Sequence, residues 1–135
     1  MSHDFAFWHS DEPLESDEAG KIYAALAETG VSERVCASPK IALLAREIKV
    51  RWPMPSPGDE DDWPLASPPD VFESHLIAYL VPSCLWDVWP ALGQFAKEHE
   101  LVMYDPQQQH VFLPPKLSRK RTKARAKKKL PPEES

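Results

Sequence analysis

The sequence predicts an α+β fold: a small, mainly antiparallel sheet with helices packed on one face, elements in the order β-α-α-β-α-β-β, and a basic tail that is disordered when free. Three observations carry this expectation. Residues 17–29 and 39–52 repeat apolar side chains at helical spacing, and "HLIAYLV" (75–81) is apolar on both alternating faces. The stretch "LVMYDPQQQHVFLP" (101–114) reads as two short β-rich runs around a turn. A chain of 135 residues has room for one core, here assigned to residues 1–115, with 116–135 as the tail.

Each element has its local reason. In "DFAFWH" (4–9), Phe5 and Phe7 alternate with Ala6 and Trp8 before the breaker-rich "SDEPLES", which suggests an edge or near-edge strand. Ser16 ahead of Asp17 and Glu18 resembles an N-cap and an acidic first turn; Ala19, Ile22, Tyr23 and Leu26 follow on one face, and Gly30 stops the helix. Ser38-Pro39 is an N-cap followed by proline at the first helical position, and Ile41, Leu44, Ala45, Ile48 and Trp52 form the stripe behind it until Pro53. Residues 53–70, rich in proline and acid, read as a long surface connection. Trp89, Leu92, Phe95, Ala96 and His99 share a helical face; Pro90 places the regular start near Asp87, after an irregular turn. "DPQQQ" then turns the chain between the last two strands.

Charge is unevenly divided. Residues 116–135 hold nine bases against two acids, a net +7, and residues 1–115 hold seven bases against nineteen acids, a net −12. Either part recruits a partner of opposite sign, or the two attract each other. Fifteen prolines against four glycines imply stiff connections and leave no glycine-rich loop to cradle phosphate. Cys36 and Cys84, far apart and without a CxxC pattern, read as reduced apolar fillers, which suits a cytoplasmic protein. The N-terminus lacks the basic and long apolar regions of a common export signal, and no stretch approaches a membrane span.

Candidate chemistry is sparse. Five histidines show no helical zinc spacing; His75 and His110 meet only if their strands are neighbours. Cys84 with His99 or His110 and Asp105 forms a nucleophile, base and orienter on paper alone. No catalytic residue, metal ligand or cofactor is therefore assigned. The acidic run Asp59, Glu60, Asp61, Asp62 lacks the spacing and glycine of an EF-hand loop. Beside Trp63, on a connection long enough to reach out, it suits insertion into a basic cleft with the tryptophan as anchor. The tail bases Arg119, Lys120, Arg121, Lys123, Arg125, Lys127, Lys128 and Lys129 offer the alternative, non-specific contact with nucleic acid, since no aromatic residue accompanies them to stack on bases.

Four segments also carry a resemblance: "MSHDFAFW", "SPKIALLAREIKVRWP", "DDWPLA" and "FAKEHELVMYDPQ". Together they are similar to a family of small, largely uncharacterised bacterial proteins that open like MSYDLAVW and close like AxEHGLVxYDPQ. The resemblance covers most of residues 1–113, leaves the tail outside, and departs from the family at Pro90, where uninterrupted helix is expected. It implies a fold rather than a reaction, and relatives that act as immunity proteins of bacterial toxin systems. The expected function is thus non-enzymatic binding of another protein, such as a basic toxin or nuclease, with nucleic-acid association through the tail as the alternative and a small thiol or histidine enzyme as a third class.

Overall fold

The computed structural model describes residues 2–128, the last five of them (124–128) in backbone only. Five strands, β1 (His3–Trp8), β2 (Leu65–Val71), β3 (His75–Leu80), β4 (Val102–Asp105) and β5 (His110–Phe112), form one antiparallel sheet in the order β2-β3-β1-β4-β5. The helices are α1 (Ser16–Thr29), α2 (Pro39–Arg51), α3 (Leu85–Glu98) and α4 (Pro115–Lys128). The α+β class holds, but the helices cover both faces of the sheet instead of one. Helices α2 and α3 pack on the face carrying Phe5, Phe7, Leu76, Leu80 and Met103, and α1 and α4 on the face carrying Ala6, Trp8, Ile77, Val102 and Tyr104.

The reason lies in β1. Its alternation sets one apolar row against another, and Phe5, Ala6, Phe7 and Trp8 are all at most 2% exposed. Such a strand needs cover on both sides. It is therefore the central strand, not the edge strand its breaker-rich flank suggested. Burial of side chains such as Phe5 and Phe7 is worth roughly 1.5–3 kcal/mol each, an upper estimate. Close approach is required on the second face, where a Cβ on Gly20 would lie 3.1 Å from the Tyr104 hydroxyl.

The start of α2 follows its local signals, whereas α1 begins one residue early and α3 begins at Leu85 instead of near Asp87. Ser38 caps α2 by accepting from the Lys40 amide at 3.3 Å, with Pro39 first in the helix. Helix α1 is capped one residue earlier than Ser16: Glu15 is the N-cap, and its amide donates to the Glu18 carboxylate at 2.9 Å in a reciprocal capping box. Gly30, at φ 80°, ends it. Helix α3 begins at Leu85, after a 3-10 turn at Pro82–Cys84, and carries Pro90 inside it. Proline there has no N–H to offer the Trp86 carbonyl one turn back. His99 and Glu47, 2.6 Å apart, clasp the ends of α3 and α2.

Two segments depart further from expectation. Strand β2 lies within the proline-rich stretch read as a connection. Its pairing with β3 slips between Leu65 and Ser67 and again between Ser67 and Asp70, around Pro68 and Pro69, so prolines that cannot donate sit at irregularities of an edge strand. The Tyr79 hydroxyl donates to Asp70 and ties the two strands. Where disorder was expected for 116–135, residues 116–128 are helical: Leu117 is buried, the Ser118 amide donates to the Pro114 carbonyl at 2.9 Å, and Lys120 reaches the Glu12 carboxylate at 3.2 Å; for 129–135 that expectation lies outside the described residues. Lysine, arginine and alanine are good helix formers, and the attraction between tail and acidic body that the charge division allowed is seen at Lys120 and Glu12.

His75 is fully buried on β3, opposite Trp8, with its ring stacked 4.5 Å from Phe72 and Nδ1 2.7 Å from the Ser74 hydroxyl. Its Nε2 and the Trp8 Nε1 are buried without hydrogen-bond partners among the described residues. Burial lowers its pKa, partly offset by Asp70. Above the ordinary imidazole pKa of about 6.5 the ring is neutral folded and unfolded; below it the unfolded chain takes up a proton that the folded chain resists. Stability should therefore fall as pH drops from about 6.5 toward the lowered folded pKa. Denaturant melts at pH 7.5 and 5.5 should show this loss in the native protein and less of it in His75→Gln, whereas parallel losses in both would mean that His75 does not contribute.

Candidate functional site

The acidic residues Asp59, Glu60, Asp61 and Asp62 are exposed, the last three in a 3-10 turn that Glu60 stabilises by accepting from the Gly58 amide at 3.0 Å. Trp63 does not project with them. It is half-buried against the α2–α3 core, and its Nε1 donates to the Trp52 carbonyl at 3.2 Å, pinning the loop to the end of α2. With Trp52, Met54, Leu65, Pro69 and Ile48 it lines a cavity of about 490 Å³ between α2 and β2, and Met54 is 63% exposed there. The acidic turn is joined directly to the Trp63 wall. Trp63 thus shapes an apolar receptacle beside the carboxylates instead of serving as the inserted anchor.

The tail bases divide into two groups. Lys120 bonds the Asp11 carbonyl and the Glu12 carboxylate, and Arg121 approaches the Leu14 carbonyl at 3.5 Å, so both turn toward the body. Lys116, Arg119 and Lys123 are exposed, the last two lining a shallow groove with Pro115, Ser118 and Thr122. Arg125, Lys127 and Lys128 are described in backbone only, and Lys129 lies outside the described residues.

The "YDPQQQH" stretch is the turn of the β4–β5 hairpin, with Gln109 at φ 51°, and it is also part of a site. Asp105, 5% exposed, organises it: one carboxylate oxygen accepts from the Gln107 amide (3.0 Å), the Gln108 amide (3.2 Å) and the Gln107 side chain (2.8 Å), and the other meets His3 Nε2 at 3.0 Å. A carboxylate oxygen accepts in this bond, so the hydrogen between them sits on His3 Nε2. The β1–β4 register would set Asp4 opposite Pro106, which has no N–H. The Gln107 side chain supplies both missing bonds, accepting from the Asp4 amide at 2.7 Å and donating to its carbonyl at 3.0 Å.

Around this hub, His3, Phe5, Asp105, Gln108, His110, Phe112 and the α3 residues Leu85, Trp86 and Trp89 line a cleft of about 250 Å³. Sequence reasoning missed it because His3 and Asp105 stand 102 positions apart and meet only through the β1–β4 pairing. Exposed aromatic residues at the start of a helix, Trp86 above all, were the available signal. Tyr104 points to the opposite face, against Trp8 and Tyr23. Of the thiol triple, Cys84 packs against the α2–α3 core, His99 is held by Glu47 and Asp105 by His3, and among the described residues no hydrogen bond joins Cys84 to His99 or His110. His75 and His110 lie on strands separated by β1 and β4.

No protein-family model matches the chain, and no curated protein or solved structure matches it significantly. Among the described residues, no helix is long and apolar enough to cross a membrane.

Because Asp105 satisfies four donors from a buried position, Asp105→Ala should cost about 2–4 kcal/mol in a denaturant melt, and Gln107→Ala about 1 kcal/mol. Equal and small effects of both substitutions would contradict the hub.

Proposed function

We propose that the protein is a non-enzymatic, cytoplasmic protein-binding protein, an inhibitor of the immunity type, whose partner is basic. The observation that carries this reading is the exposed carboxylate turn of Asp59–Asp62 set against the apolar cavity of Trp52, Met54 and Trp63. Carboxylates attract and orient a basic partner, while a desolvated apolar recess takes the side chain that holds it. Occupying the cleft where an enzyme such as a nuclease binds its anionic substrate would inhibit it by exclusion. The immunity role rests on the resemblance of residues 1–113; the carboxylate and cavity chemistry stands without it.

The test uses tagged full-length protein captured from its own host after nuclease treatment. A stoichiometric basic partner is expected. Its affinity should fall at least tenfold at ~0.1 M salt when Asp59→Asn, Glu60→Gln, Asp61→Asn and Asp62→Asn are combined, and less at ~0.5 M salt, where surface charge is screened. Met54→Ala should weaken binding at both salt concentrations. A partner indifferent to both changes would overturn the reading. Trp63→Ala is a poorer probe, because it removes the bond that pins the loop.

One observation favours the second reading, nucleic-acid association: Lys116, Arg119 and Lys123 stay exposed on α4 after Lys120 and Arg121 have turned to the body. Truncation after Pro115 would remove the buried Leu117 and confuse folding with binding. Charge reversal is cleaner. Under this reading, Arg119→Glu with Lys123→Glu reduces the slope of log K against log salt for duplex DNA by about 1.8; an unchanged slope excludes contact through these residues.

A further inference from the structure

The cleft at the β5 edge lies at the opposite side of the sheet from the acidic loop beside β2, and its chemistry is different. Six of its nine lining residues carry aromatic rings: His3, Phe5, Trp86, Trp89, His110 and Phe112. The rings already stand at angles to one another, Trp89 to Phe112 at 5.9 Å and 34°, His110 to Phe112 at 4.5 Å and 77°, His3 to Phe5 at 5.0 Å and 36°. The remaining polar groups include the Asp105 carboxylate and the His3 imidazole, and among the described residues no lysine or arginine lines the space. Trp86, 76% exposed at the first turn of α3, leaves a large indole in water at its rim.

We propose that this cleft binds a small organic cation, an alkylammonium group. Aromatic faces carry negative charge density and attract a cation whose shell of methyl or methylene groups also favours the apolar walls. The buried carboxylate adds a fixed opposite charge at the cleft, so an anion is disfavoured there. A metal ion fits poorly: among the described residues Asp105 is the only carboxylate lining the cleft, it already takes four hydrogen bonds, and hard cations need several oxygens. At about 250 Å³ the space is smaller than the ~300 Å³ at which pockets for drug-sized molecules begin, which limits the occupant to a headgroup.

The experiment titrates the ¹⁵N-labelled full chain with tetramethylammonium chloride, following the indole N–H signals of Trp86 and Trp89, with tert-butanol as a neutral compact control and sodium chloride for ionic strength. Tetramethylammonium should shift both indoles saturably and bind at least tenfold more tightly than tert-butanol, and sodium chloride should shift neither. Trp89→Leu and Trp86→Leu should each weaken binding roughly threefold to tenfold, the remaining indole reporting in each case. Since Trp86 is largely exposed, its variant keeps the test independent of folding. Neutralising Asp59 to Asp62 should leave tetramethylammonium binding unchanged, which separates this site from the partner-binding one. Equal affinity for tert-butanol, a response linear in concentration, or undiminished binding in Trp86→Leu would overturn the proposal.

Discussion

Strand β1 is covered on both sides, and most of the architecture can be derived from that burial. A six-residue strand with apolar side chains on both faces has no stable place at an edge, so β3 and β4 must flank it and helices must close over each surface. Helices α2 and α3 supply one layer, α1 and the start of α4 the other. Leaving either face bare would expose a row of aromatic or aliphatic side chains to water. The same demand explains why α4 is recruited: Leu117 adds to the layer over Trp8 and Val111, and Lys120 and Arg121 hold it there through the Glu12 carboxylate and backbone carbonyls. The exposed Lys120–Glu12 pair contributes little by itself, so the burial of Leu117 is the larger part of that attachment.

Local signals were legible where they depended on neighbouring residues. Ser38-Pro39, Gly30 and the stripe of Ile41, Leu44 and Ile48 behaved as their chemistry requires, and "DPQQQ" is a turn. What could not be read depended on distant partners. Strand β2 looks like a linker because Pro68 and Pro69 interrupt any period; it is a strand only because β3 offers the other half of the ladder. The tail looks disordered because it carries almost no apolar residue; the charge division allowed attraction to the body, but not that Leu117 would be buried there with Lys120 on Glu12. For β1 the information was present but given the wrong weight: the turn-forming residues after Trp8 suggested an edge, while Ala6 and Trp8 opposite Phe5 and Phe7 already lacked any polar face.

The candidate sites show the same division. The carboxylates of Asp59–Asp62 were legible as an exposed acidic run, because density of charge is a local property. The role of Trp63 was not: an indole beside four acids looks like an anchor in sequence, and only the bond to the Trp52 carbonyl shows it supporting the loop. Asp105 illustrates the converse. Its part in the turn follows from the aspartate–proline pair, but His3 reaches it from the other end of the chain, and the cleft needs β1, β4, β5 and α3 together.

Both candidate sites sit at edges of the sheet because its centre is wholly taken up by packing. The edges solve a common problem, unpaired backbone groups, in different ways: β2 is broken by prolines and slipped pairing, β5 is only three residues long and ends beside Pro114 and Pro115. Short or irregular edges leave gaps that a regular strand would fill, and helices α2 and α3 turn those gaps into the two recesses, one walled by Trp52 and Trp63, the other by Trp86 and Trp89. Since the two recesses lie at opposite edges of the sheet and share no lining residue, substitutions at one should act independently of those at the other, with effects that add. A fold built this way can change what it binds at either edge without disturbing β1.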